Sequence, residues 1–308
     1  MKLISENLHI ISPKTKEAVL NRDENFIKNL LQKQIDSTPD WIDLNIGPAR
    51  GAFAGSMEWL VNIAQELTDI PLSLDSTNIT EISKGLSLAK DSKNWLINST
   101  SADAERLDKV TDAACEYNCS LIALTMNSEL GIPKESDKRL ELAFEISSVC
   151  EEKGIDNGRL YFDPLILPVC VEQTQALEAL NTIRMLKESF DPEVMTTVGL
   201  SNVSNGCPKE LRPLINRVFM VLAMGCGLDS AIVDSFDTEL LRVNGMLESG
   251  TAQTDYDSAY LALYNIMQNF EELDSVQFDK NDKEQLSIIK TAEILLNKKV
   301  YTNSYLEI

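Results

Sequence analysis

The stretch IPLSLDSTNITEISKGLSLAKDSKNWLINS, residues 70–99, holds the pattern that decides the fold. It opens on a short apolar run, Ile70–Asp75, and closes on another, Trp95–Ser99, with room for one helix between them. Two strands separated by a helix are parallel, because an antiparallel pair needs only a tight turn. Working outward, runs of the same kind stand at Leu3–Ser5, Ile42–Ile46, Leu121–Met126, Leu160–Asp163, Thr197–Ser201 and Ser230–Asp234. Eight such runs in 308 residues predict an α/β fold, a single (β/α)8 or TIM barrel, rather than an open doubly wound sheet. No GxGxxG follows the first run, so a dinucleotide-binding fold lacks its main support.

The segments between the runs carry helical periodicity. Lys14–Gln34 places Ala18, Val19, Leu20, Phe26, Ile27, Leu30 and Leu31 on one face, which predicts one long helix. Ser56–Leu67 is similar, Ser136–Cys150 begins with a candidate serine cap, and Pro208 and Pro213 open a helix running to about Gly225. The rhythm breaks between about 247 and 287, where an acidic stretch predicts a helix over Tyr256–Glu272, a turn at Asp279–Asn281 and a helix resuming near Lys283. It reads as an insertion in the eighth helical segment of one domain spanning 1–308.

The net charge of −20, from 48 acidic and 28 basic residues, argues against a nucleic-acid partner, since such a chain repels a phosphate backbone. The longest apolar stretch, Val218–Gly227, is far shorter than the ~20 residues needed to cross a bilayer, and a cytoplasmic protein is expected. The six cysteines form no CxxC and read as reduced thiols. The one histidine, His9, sits in no HxxxH or HExxH, so no metal site is expected and His9 is taken to stand apart from the chemistry.

In such a barrel the chemistry lies at the C-terminal ends of the strands. Here those ends read Asp43-Leu44-Asn45-Ile46-Gly47-Pro48, Leu74-Asp75-Ser76-Thr77-Asn78, Ile97-Asn98-Ser99-Thr100, Leu124-Thr125-Met126-Asn127, Phe162-Asp163-Pro164, Gly199-Leu200-Ser201-Asn202 and Val233-Asp234. Any one of these side chains could serve a turn or a helix cap. Together they describe a pocket rich in amides and carboxylates, with no histidine or lysine at a strand end. Such a pocket suits a neutral heterocycle with several N–H donors. A reduced pterin has that form, because its 2-amino group and N3–H make a paired edge that one carboxylate accepts side by side.

At these same segments the sequence resembles the methyltetrahydrofolate:corrinoid protein methyltransferases, within the pterin-binding barrels that include dihydropteroate synthase. The strings that carry the likeness include Asp43-Leu44-Asn45-Ile46-Gly47-Pro48-Ala49, Met57-Glu58-Trp59-Leu60-Val61, Asp163-Pro164-Leu165-Ile166-Leu167-Pro168, Gly199-Leu200-Ser201-Asn202-Val203-Ser204 and Arg212-Pro213-Leu214-Ile215-Asn216-Arg217. The resemblance implies that Asp163, Asp75 and Asn98 hold the pterin and that Asn202 stands near N5, whose methyl group is transferred. Asn202 and Asp75 are then the expected catalytic pair, with Asn45, Gly199, Ser201 and Arg212 completing the binding set. It implies 5-methyltetrahydrofolate as substrate, a corrinoid iron–sulfur protein as the partner that carries the cobalamin, and a homodimer. The start departs from the family, which has Gly-Glu-Arg-Ile-Asn where this chain has Ser5-Glu6-Asn7-Leu8-His9. The loop Asn205-Gly206-Cys207-Pro208-Lys209-Glu210 differs as well. No DxHxxG cobalamin loop is present, so the corrinoid is expected on another protein.

The reading of the branch is methyl transfer to the corrinoid iron–sulfur protein of the acetyl-CoA pathway. An alternative is a corrinoid methyltransferase serving demethylation of methoxylated or methylamine-like substrates, running toward methyltetrahydrofolate. Dihydropteroate synthase and a non-enzymatic binder stand further off. The first would need cations around a pyrophosphate, and the second would not need a full set of polar strand ends.

Overall fold

The computed structural model describes residues 1–307. Its centre is a sheet of eight parallel strands: β1 (Lys2–His9), β2 (Trp41–Gly47), β3 (Leu72–Ser76), β4 (Leu96–Thr100), β5 (Ser120–Leu124), β6 (Leu160–Asp163), β7 (Met195–Thr196) and β8 (Ser230–Val233). They are ordered β7-β6-β5-β4-β3-β2-β1-β8, so β1 lies between β2 and β8 and the sheet curls almost into a closed barrel. The last seam is drawn by a few backbone bonds. Thr197 N–H donates to Phe162 on one side at 2.9 Å, and Ile232 N–H donates to Val198 on the other at 2.8 Å.

Strand periodicity divides the barrel lumen into layers. Along β2 the residues Trp41, Asp43 and Asn45 share one face, as do Leu96 and Asn98 on β4 and Tyr161 and Asp163 on β6. The lower layer is apolar: Ile4, Trp41, Leu96, Ile122 and Tyr161 form a buried cluster, with Trp41 and Tyr161 edge to face at 6.0 Å between ring centres. One step higher β1, β2, β4 and β6 present Glu6, Asp43, Asn98 and Asp163, while β5 keeps Leu124. The change from apolar to polar along those four strands fixes where the lumen stops being core and becomes a pocket.

Helices α1 (Pro13–Asn21), α2 (Glu24–Asp36), α3 (Ser56–Leu67), α4 (Ile79–Ser87), α5 (Ala104–Glu116), α6 (Ser136–Glu152), α7 (Thr174–Ser189) and α8 (Arg212–Gly225) surround the barrel. The helix expected over Lys14–Gln34 is two. Arg22 takes a left-handed φ of 53°, and the Asp23 side chain caps α2 by accepting from Phe26 N–H at 3.0 Å. Pro208 lies before α8 and only Pro213 sits in its first turn. Ser136 is the first residue of α6 and makes no side-chain cap.

The seventh strand is also corrected. Its ladder covers Met195–Thr196, upstream of the expected Thr197–Ser201, and Leu200–Ser204 winds into a 3-10 turn instead. That turn lifts residues 200–204 off the sheet and over the pocket.

After β8 come α9 (Thr238–Ser249), α10 (Asp257–Asn269) and α11 (Lys283–Leu295), so the acidic segment is partly helical, with α10 ending at Asn269, short of the expected Glu272, where Phe270 turns left-handed. It is built into the core rather than laid on the surface. Ala259, Tyr260, Leu263, Ile266 and Met267 of α10 are buried in the cluster that contains α8. Gly225 permits the close approach, since a Cβ there would lie 2.6 Å from the Tyr264 carbonyl oxygen and 2.7 Å from Met267 Cβ.

Candidate active site

A cavity of about 710 Å³ opens at the C-terminal ends of the strands, within the size range of small-molecule sites. Asn45, Asp75, Gly199, Ser201, Asn202 and Arg212 all line it, six of the residues expected from sequence. The other two, Asn98 and Asp163, are buried at its base and do not form its wall. Asp43 and Asp234, read among the polar strand ends, also line it, and Glu6, His9, Lys209, Asn216 and Asp237 join the wall beyond those expectations.

Strand register explains the central row. Asn45 on β2 pairs with Asp75 on β3, and Asp75 pairs with Asn98 on β4, so three polar side chains stand side by side at one height. The Asn45 amide donates to the Asp75 carboxylate, and its own oxygen accepts from Gly47 N–H at 3.2 Å. One layer down, Asp43 accepts from the Ser73 hydroxyl at 2.6 Å and from the Asn98 amide at 3.3 Å. Asn98 therefore reaches the site through Asp43.

The carboxyls are unusually ready to hold protons. Burial pushes Asp43 up to about 7, against the Ser73 and Asn98 hydrogen bonds. Burial also raises Asp75 well above the usual carboxylate range, the charge of Asp43 adds to the rise, and Arg106 opposes it. Glu6, whose carboxylate accepts from the Ser201 hydroxyl, is pushed up to about 7 by burial, with Asp234 and Asp43 contributing. Asp163 rises less, to about 6, because Leu165 N–H at 2.7 Å and Gly199 N–H donate to it and Arg139 stands near. Burial thus raises the carboxyls of Glu6, Asp43, Asp75 and Asp163 alike.

Asn202 sits in the 3-10 turn after β7 with its backbone N–H bonded to the Gly199 carbonyl at 3.1 Å. Neither that turn nor α8 is capped by a side chain, so a capping role for Asn202 is absent. Its amide is exposed on the cavity wall.

The pocket is less free of bases than the strand ends suggested. His9 is the last residue of β1 and lines the cavity half-buried; burial lowers its pKa while Asp234 works the other way. The apolar run ends at Ser5, where the pairing of β1 with β2 slips before resuming at Leu8, so His9 lies on a stretch of strand that the run does not mark. Lys209 and Arg212 come from the loop before α8 and from its first turn. Arg106 of α5 was also missed: it donates to the Ser99 carbonyl at 3.0 Å, to Thr77 at 2.9 Å and to Ser76 at 3.2 Å, tying the ends of β3 and β4 together. Among the described residues no group of three or more His, Cys, Asp or Glu side chains could hold a metal ion, and no helix is long and apolar enough to cross a membrane.

The chain is similar to known proteins in sequence and in fold. The chain is 29% identical over 243 residues to the methylcorrinoid:tetrahydrofolate methyltransferase of Eubacterium limosum, covering 78% of this chain and 88% of that one. It is 27% identical over 243 residues to the methionine synthase of Mycobacterium leprae, covering 76% of this chain but only 20% of that much longer protein. Among solved structures it resembles the dihydropteroate synthases of Yersinia pestis (TM-score 0.57, 16% identity, 81% of this chain and 92% of that one) and Clostridium difficile (TM-score 0.59, 14% identity, 82% and 97%). At such identities the likeness concerns the fold. The profile of the pterin binding enzymes matches residues 32–234, from α2 through the end of β8. That span holds every one of the eight residues expected to bind substrate, and the chain belongs to the pterin binding enzyme family.

Proposed function

We propose that this protein is a methyltransferase that moves a methyl group between N5 of a tetrahydrofolate and the cobalt of a corrinoid carried by a partner protein. The observation that carries the reading is the set of polar strand ends: Asn45, Asp75 and Asn98 stand side by side in register, and Asp163 lies buried at the base of the cavity, where a carboxylate suits the paired N–H edge of the pterin. The name of the Eubacterium limosum relative, which joins a methylcorrinoid to tetrahydrofolate, supports the same pair of substrates.

The chemistry sets what the chain must do. N5 of methyltetrahydrofolate is a poor leaving group unless it carries a proton or a strong hydrogen bond as the methyl departs to Co(I). In the opposite direction N5 gains the methyl and loses its proton. Asn202 is the group we assign to N5, where its amide can donate or accept and so follow the charge change. Asp75 is the assigned proton holder, with the Asn45 amide fixing its orientation. Asn98 and Asp163 hold the ring from below, and Ser201 and Gly199 shape the turn that presents Asn202. The transfer balances without an added oxidant or reductant: Co(I) would supply the pair of the new Co–C bond while N5 keeps the pair of the broken N–C bond, and the roles exchange in the opposite direction.

Two settings fit this chemistry. One is methyl delivery to a corrinoid iron–sulfur protein of the acetyl-CoA pathway, as the sequence resemblance implies. The other is a demethylation pathway running toward methyltetrahydrofolate, which the order of donor and acceptor in the relative's name favours. A cytoplasmic homodimer belongs to either. Methyl exchange between methyltetrahydrofolate and free cobalamin tests the shared reading, and the identity of the corrinoid protein that accelerates it separates the two.

A further inference from the structure

The cavity wall is divided by charge. Glu6, Asp43, Asp75, Asp234 and Asp237 supply carboxyls, whereas Lys209 and Arg212 are the only permanently charged cations among its described lining residues. Lys209 is exposed at the rim and engages no ion pair or hydrogen bond among the described residues. Arg212 spends only its Nε, donating to the Cys207 carbonyl at 2.8 Å, which leaves both terminal nitrogens without a protein partner. In a chain of net charge −20 an anionic ligand group entering this cavity meets fixed positive charge only along that side.

We propose that Lys209 and Arg212 form the subsite for the carboxylate tail of the folate, and that Lys209 makes the enzyme prefer tails carrying more than one glutamate. The inference rests on the folate reading above. A tetrahydrofolate is a neutral ring joined to an anionic tail. If the ring takes the strand-end amides and carboxyls, the tail is drawn out past the cations, because no other part of the wall carries a fixed positive charge. The first tail carboxylate meets Arg212, whose two free nitrogens match a carboxylate side by side. Lys209 stands three residues earlier, in the loop Asn205–Glu210, where this chain departs from the family it resembles. A flexible point charge at the rim suits successive carboxylates that have no fixed geometry.

Equilibrium binding by calorimetry to the whole protein tests this with three probes: 5-methyltetrahydrofolate with one glutamate, the same with three, and tailless 6-methyltetrahydropterin. Wild type is expected to bind them in the order triglutamate, monoglutamate, tailless pterin. Lys209→Gln should weaken the triglutamate by about fivefold, the scale of one partly exposed ion pair, and leave the tailless pterin within about twofold. Raising salt from about 0.05 to 0.5 M should erase the wild-type preference. Unchanged triglutamate preference in Lys209→Gln, or tailless pterin bound as tightly as triglutamate by wild type, overturns the tail subsite alone. Failure of folded wild type to bind any of the three overturns the folate reading and the subsite with it.

Discussion

The carboxamide of Asn202 lies directly over the Cα of Gly199: a Cβ at position 199 would stand 2.8 Å from Asn202 Nδ2. Glycine at 199 is therefore needed for the neighbour's side chain and not for its own backbone, whose φ of −77° and ψ of 90° are open to any residue. Gly199→Ala should displace the Asn202 amide without straining the chain. Steady-state methyl transfer should fall by about tenfold or more, since small misplacements of a positioned group are costly, while the melting temperature stays close to wild type. Wild-type kinetics in Gly199→Ala would mean that the position of the amide is not used.

Protonated carboxyls leave a mark on stability. Glu6 and Asp43 ionise near 7 in the folded protein but near 4.5 and 3.8 in the unfolded chain. Between those values the unfolded state has lost protons that the folded state retains, so stability falls as pH rises from about 4 to 7 and is flat above. Each group contributes at most ~1.4 kcal/mol per pH unit within its window. Urea unfolding between about pH 5 and 8 should show a shallower decline in Glu6→Gln than in wild type. Parallel profiles would show that Glu6 is not protonated in the fold.

Asp163 has two duties that one substitution can separate. Its carboxylate accepts from Leu165 and Gly199 N–H groups, holding a turn in which Leu165 has a φ of 66°. Asp163→Ala releases that turn and should lower both melting temperature and folate affinity. Asp163→Asn retains an acceptor for the turn but loses the paired acceptor for the pterin edge. It should melt near wild type and bind methyltetrahydrofolate at least about tenfold more weakly, as expected for a lost charge-assisted pair in a closed pocket. Full affinity in Asp163→Asn would move the pterin edge elsewhere.

The acidic segment after β8 is a packing element. Leu263 on α10 is fully buried in the core shared with α8, so Leu263→Ala should cost about 2–5 kcal/mol of stability, measured by urea unfolding. Removing residues 248–282 would strip the same face from α8 and should prevent folding altogether. A folded, active deletion would show that α10 is dispensable to the core.

Much of this was legible in the sequence because burial writes period-two runs, and all but one of the eight strands lie where those runs stand. The seventh was misplaced because Val198-Gly199-Leu200 looks like strand, while Leu200–Ser204 winds into a 3-10 turn over the pocket. The break in the first helical segment had a local sign, Asp23 three residues before Phe26, which apolar periodicity alone overrides. Strand ends marked Asn45, Asp75, Asn98 and Asp163, whereas Lys209 and His9 reach the cavity by a long side chain and by an irregular strand that no period reveals, and Arg106 ties the ends of β3 and β4 from α5.

The central claim is that Asn202 serves N5 during methyl transfer. Methyl transfer from methyltetrahydrofolate to free cob(I)alamin, and from methylcobalamin to tetrahydrofolate, measures it directly in wild type and Asn202→Ala. Because Asn202 caps no helix, the variant should melt like wild type. Its kcat/KM should drop by about 10²-fold with a smaller loss of folate affinity, since the hydrogen bond strengthens as the methyl moves. Folded wild type that moves no methyl in either direction, or Asn202→Ala that turns over at the wild-type rate, would contradict the account.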